Sequence, residues 1–129
     1  MKADDMLLQN SIMKNVGSKV AIVTDSIGDL PKDFEIQNQV AIIPMDLELD
    51  GDFYLDRIGI DINGFYDRNK RLTNHPKTSL PNIKNVENSF QFLLEYYKAI
   101  IVLVVSDKLS GAYQMIKNVA SDFILKGYD

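Results

Sequence analysis

The unbroken apolar run at residues 99–105, Ala-Ile-Ile-Val-Leu-Val-Val, constrains the fold more than any other stretch of this chain. It is far too short to span a membrane. Its β-branched content reads as a strand buried on both faces, as in a parallel sheet. The run ends in Ser106-Asp107-Lys108-Leu109-Ser110-Gly111-Ala112-Tyr113-Gln114, two hydroxyls and a glycine leading into helical spacing. A strand that opens a helix through such a turn leaves backbone N–H groups unpaired. Those groups favour an anion: phosphate, sulfate or carboxylate. Two more hydroxyl-bearing segments, Thr24-Asp25-Ser26 and Thr78-Ser79, stand upstream in similar settings, so the three together outline one site.

The rest of the chain alternates short apolar strands with helical segments. Residues 20–23 and 40–43 read as buried strands, the first leaving through an exit loop at 24–29 and the second stopped by Pro44. Pro31 suits the first turn of a helix. Met45, Leu47 and Leu49 alternate with Asp46 and Glu48, a half-exposed strand, and Asp50-Gly51 is a hairpin turn returning through Phe53-Tyr54-Leu55. A helix is expected over 62–71, capped by Asp61 or Asn63, and residues 73–81, with two prolines, read as a loop. Asn82 caps a helix presenting Val86, Phe90, Leu93, Leu94 and Tyr97. A last helix presents Ala112, Ile116, Val119, Ala120 and Phe123, with Gly127 just past its end. The fold class is therefore α/β: a mostly parallel sheet with helices on both faces and a small hairpin near residues 45–55. Ligands bind such sheets beyond the carboxyl ends of the strands, where residues 24–26 and 106–110 stand. Residues 1–18 form a tail or a short helix, and 19–129 one domain.

Composition narrows the chemistry. A net charge of -4 argues against a nucleic-acid binder, and the absence of cysteine removes disulfides, thiolate catalysis and Cys-ligated metal. Asp4 and Asp5 stand where a signal peptide carries positive charge, so the cytoplasm is the default location. His75 is the one histidine, a poor metal site alone and far from any pairing with Ser106 or Ser110 that would make a catalytic triad. Asp25 at a strand end resembles the nucleophile of haloacid-dehalogenase-type phosphatases, but the partner acid wanted two positions on is Ile27.

Three segments resemble the DegV family, bacterial fatty-acid-binding proteins that include the binding subunits of fatty acid kinase. Val23-Thr24-Asp25-Ser26-Ile27-Gly28-Asp29-Leu30-Pro31 is similar to the family's VTDSTADLP opening, Thr78-Ser79-Leu80-Pro81-Asn82 to its TSQPS motif, and 106–114 to SSxLSGTYQ. Leu80, Asn82, Asp107 and Ala112 depart from those patterns. The resemblance implies a non-enzymatic carrier with no cofactor beyond a bound long-chain fatty acid. The carboxylate would rest on the hydroxyls of Thr78, Ser79 and Ser110 and on backbone N–H groups at Gly111 and Ala112. Thr24, Asp25, Ser26 and Ser106 would support them, and a fatty acid kinase would be the partner. Family members carry a second α/β domain, with the lipid in a tunnel between the two. Without that domain, the expectation is an exposed tail slot and self-association. The alternative is a small α/β enzyme or nucleotide-binding protein that uses the same turns for phosphate, though GxGxxG and P-loop spacings are lacking.

Overall fold

A central strand with parallel neighbours on both sides organises the molecule, a computed structural model that describes residues 20–128. The expectation for residues 1–18 lies outside the described residues. The elements in chain order are β1 (Val20–Asp25), α1 (Lys32–Asn38), β2 (Ala41–Ile43), β3 (Asp46–Leu49), β4 (Asp52–Leu55), α2 (Ile62–Asn69), β5 (Lys77–Ser79), α3 (Ile83–Leu94), β6 (Ala99–Leu103) and α4 (Ala112–Leu125). A 3-10 turn at Ser26–Gly28 follows β1. One sheet has the order β2-β1-β6, all parallel; the other, β4-β3-β5, is antiparallel.

Register decides which side chains make the core. Ala21 pairs with Ile100 and Val23 with Val102 and Ala41, so these share one face of the parallel sheet. That face packs against Val86, Phe90 and Leu93 of α3 and Ile116, Val119 and Phe123 of α4. The rings of Phe90 and Phe123 meet edge-on at 5.8 Å, joining the two helices. Both stripes follow helical spacing. Tyr97 joins this core although α3 has already ended at Leu94, because its N–H still bonds to Leu93 O.

The α/β class stands, and one detail of the strand reading changes. Val20, Ile22, Ile101 and Leu103 share the opposite face, where Ile101 is 50% and Leu103 59% exposed. The run at 99–105 is thus buried on one face only among the described residues, and β6 is an edge strand. It also stops at Leu103, since the Val105 N–H turns to a side chain, the Asp25 carboxylate, at 2.9 Å.

The hairpin lies where the sequence places it. Leu47 and Leu49 are buried and Asp46 and Glu48 half-buried, the period of two expected of a strand with one wet face. Asp50 and Gly51 both adopt left-handed backbone, φ 49° and 89°, the conformation a two-residue turn of matching twist needs. The 73–81 stretch is not all loop: residues 77–79 add to the free edge of β3 as β5. Pro76 and Pro81 flank that strand rather than interrupt it, so no ladder N–H is lost. Asp61 Oδ1 accepts the Gly64 N–H at 2.7 Å and Asn82 Oδ1 the Lys84 N–H at 2.9 Å, so each caps the helix it precedes.

Candidate functional site

Strand β1 delivers Thr24 and Asp25 to the carboxyl edge of the parallel sheet, and the 3-10 turn sets Ser26 beside them. All three are buried, at 7%, 1% and 3% exposure. The Thr24 hydroxyl donates to Asp25 O, and Ser26 Oγ accepts the Met45 N–H at 3.1 Å. A Cβ on Gly28 would stand 3.0 Å from Thr24 Oγ1, so the turn packs closely against the Thr24 side chain. These residues hold the site together from beneath; their polar atoms are turned toward protein.

The Ser26–Met45 bond carries the site from one sheet to the other. Met45 leads into β3, where Asp46 pairs with Ser79 and Leu47 with Thr78. Thr78 and Ser79 are both exposed and follow each other in an extended strand, so they point to opposite faces. Thr78 shares its face with Leu47 and Tyr54, Ser79 with Asp46. Leu80 then reaches the last segment: its Cδ1 lies 3.6 Å from where a Cβ on Gly111 would stand. Segments far apart in sequence are thereby brought side by side, the 24–26 end to residue 105 through Asp25 and the 78–80 strand to Gly111 through Leu80.

The turn after β6 is tied internally by its own serines. Ser106 O accepts the N–H groups of Leu109 and Ser110, and Ser106 Oγ accepts that of Lys108. Ser110 Oγ accepts the Ala112 N–H at 3.2 Å, a turn bond just ahead of α4, whose N-cap residue is Gly111. Ala112 is fully buried and its N–H is occupied, so its contribution to the turn is as a packed helix start. The following first-turn N–H groups have no acceptor within the helix and remain the donors of this end. Ser106 and Gly111 are exposed and Ser110 is half-buried. Leu80, Leu109 and Tyr113, on or beside these segments, are exposed apolar side chains, at 42%, 79% and 40% exposure.

Two features had no readable signal in the sequence. Glu35, in the middle of α1, is 5% exposed, and its Oε1 lies 2.6 Å from Arg57 Nη2 without hydrogen-bond alignment. Arg57, held at φ 65°, also donates to Leu30 O, so it ties the segment after the hairpin to α1 and the two sheets to each other. The second feature is the clasp at Asp50. Its carboxylate accepts the N–H groups of Thr73 and Asn74 and the Asn74 side-chain amide. The Thr73 N–H, then the Asn74 side chain, hold the Asp50 carboxyl below its usual range. A cleft of 340 Å³ beside it is lined by Asp50, Gly64, Asp67, Arg68, Arg71 and Leu72. Its two acids and two arginines balance, and none of its residues belongs to the hydroxyl segments. Among the described residues no cluster of His, Asp and Glu could hold a metal ion, and no helix is long and apolar enough to cross a membrane.

Comparison with known proteins places this arrangement in context. The family model described as "Uncharacterised protein, DegV family" matches residues 19–128. Protein DegV of Bacillus subtilis is 31% identical over 94 residues, which are 73% of this chain and 34% of that protein. The crystal structure of DegV, a fatty acid binding protein from Bacillus subtilis, superposes with a TM-score of 0.74 at 28% identity, covering 81% of this chain and 37% of the other. A stearic acid-binding protein from Eubacterium ventriosum superposes at 0.67 with 29% identity, covering 81% of this chain and 36% of the other. The chain thus spans about a third of the length of the proteins it matches.

Proposed function

This chain belongs to the DegV family, and we propose that it holds a long-chain fatty acid and presents the carboxylate to a separate fatty acid kinase in the cytoplasm. The observation that carries the reading is the seam itself. Hydroxyl-bearing segments from the ends of β1, β5 and β6 are linked through Asp25–Val105 and Leu80–Gly111 at the start of a helix, and the exposed apolar side chains Leu80, Leu109 and Tyr113 belong to the same segments. A carboxylate buried without donors is prohibitively costly, and an acyl tail needs apolar wall, so this combination suits a fatty acid better than a nucleotide. Fatty acid binding by the Bacillus and Eubacterium relatives supports the same ligand class. Ser110 and one of Thr78 and Ser79, which register turns to opposite faces of β5, supply hydroxyls, and the N–H groups of the Gly111 turn supply the remaining donors.

Ser110→Ala tests the proposal. Fatty acid affinity should fall by about 1–3 kcal/mol, the range for a hydrogen bond to a charged group. The same change removes the acceptor of the Ala112 N–H, at a stability cost of about 1 kcal/mol that a thermal melt reads separately. Unchanged palmitate affinity, or a nucleotide rather than acyl chains in the organic extract of the purified protein, would reject the reading.

A further inference from the structure

Asp25 is the most deeply buried acid of the described residues, at 1% exposure, and its partner lies far along the chain. Oδ2 accepts the Val105 N–H at 2.9 Å across 80 positions of sequence. Oδ1 is equally buried and has no hydrogen-bond partner among the described residues. Beyond Val105 the turn closes on itself, through Ser106 to Lys108, Leu109 and Ser110, and through Ser110 to Ala112. None of those bonds reaches the sheet, so past the β1–β6 ladder the Asp25–Val105 bond is, among the described residues, the hydrogen-bonded fastening of the turn to the sheet. The Asp25 carboxylate thus reaches from the end of β1 to the segment that follows β6.

We propose that Asp25 is the positioning residue of the headgroup site. Through Val105 it sets where the 106–111 turn stands relative to Leu80 and β5, and it does so without touching the ligand. Folded proteins rarely leave a buried carboxylate oxygen unpaired, since the cost is appreciable. Keeping one here fits a group retained for where it holds the turn rather than for net stability. The proposal rests on the fatty-acid reading for the identity of the ligand; the fastening itself is read independently.

The experiment uses the full chain, with palmitate as the probe. Asp25→Asn keeps an oxygen for the Val105 N–H, and Asp25→Ala removes it. Palmitate affinity is measured by titration, and exchange of the Val105 amide is followed by NMR on ligand-free protein. Asp25→Ala should weaken palmitate binding about tenfold or more and speed Val105 exchange, while Asp25→Asn restores both to within about threefold. Val119→Ala, a core truncation away from the turn, should lose stability yet keep its affinity. The proposal is overturned if Asp25→Ala binds palmitate like the wild type with Val105 still protected, or if a folded Asp25→Asn loses affinity about tenfold. That second arm decides the matter even if Asp25→Ala fails to fold. A wild type that takes up no palmitate defeats the fatty-acid reading alone, because Val105 exchange still reports whether Asp25 holds the turn.

Discussion

Arg57→Met should be the most damaging single change at the seam between the two sheets. Glu35 is 5% and Arg57 20% exposed, and the charged atoms stand 2.6 Å apart. At an effective dielectric of about 20 their attraction is about 6 kcal/mol, most of it offset by the cost of taking both groups out of water. Removing the arginine leaves that desolvation cost with Glu35 alone, and breaking a buried pair costs roughly 3–5 kcal/mol. The lower end applies here, because Lys32 Nζ, itself 70% exposed, remains 3.9 Å from Glu35 Oε2. Near 3 kcal/mol corresponds to a fall in thermal midpoint of roughly 10–15 °C for a domain of this size. Met keeps the stem and, like Arg, is strained at φ 65°, so backbone strain cancels between the two proteins. Urea unfolding followed by circular dichroism gives the loss. The double variant Glu35→Met/Arg57→Met should recover to within about 1 kcal/mol of wild type, since a buried pair is often replaceable by apolar side chains. A loss below about 1 kcal/mol in Arg57→Met, or no recovery in the double variant, would refute the account.

Two further outcomes are expected. The Asp50 carboxyl is lowered in the folded chain, chiefly by the Thr73 N–H. Its clasp therefore stabilises above the unfolded-chain value near 3.8 and is lost as pH falls through the lower folded value. Asp50→Asn should remove this acid-dependent part, so wild type and variant losing stability in parallel below about pH 4 would count against it. Ile101→Lys with Leu103→Lys should cut light scattering and apolar dye binding while changing stability by no more than about 0.5 kcal/mol. If that pair of substitutions unfolds the chain, the open face is covered by something that needs those side chains.

The parts of this fold visible in the sequence are those fixed by local rules. Strand and helix periods, the Asp50-Gly51 turn and the Asn82 cap depend on neighbours within a few residues, and each stands where its residues point. Thr73 to Pro81 misled because β5 is made by the free edge of β3, not by any propensity of Lys77, Thr78 and Ser79. The exposed side of β6 was invisible for a related reason: an apolar run reports that its residues avoid water, not which layers are there to shield them. At the site, the sequence lists the hydroxyls but not their directions. Strand register separates Thr78 from Ser79, and the Ser110 bond occupies the Ala112 N–H. The buried Glu35–Arg57 contact joins residues with ordinary surface composition, which no local pattern distinguishes from a solvated pair.

The wiring of β1 also bears on the order in which the molecule can be built. Its partner β2 follows after one short helix, whereas Val20 cannot meet Ala99, the start of β6, until β2 to β5 and three helices have been made. Long-range parallel pairing of this kind is slow, because a large loop must close before any contact rewards it. A growing chain on the ribosome therefore carries one bare, hydrogen-bond-hungry flank of β1 until β6 emerges, a surface that invites wrong pairing or a chaperone. The Asp25–Val105 fastening spans that same gap, so the turn after β6 is tied to β1 only once β6 has docked.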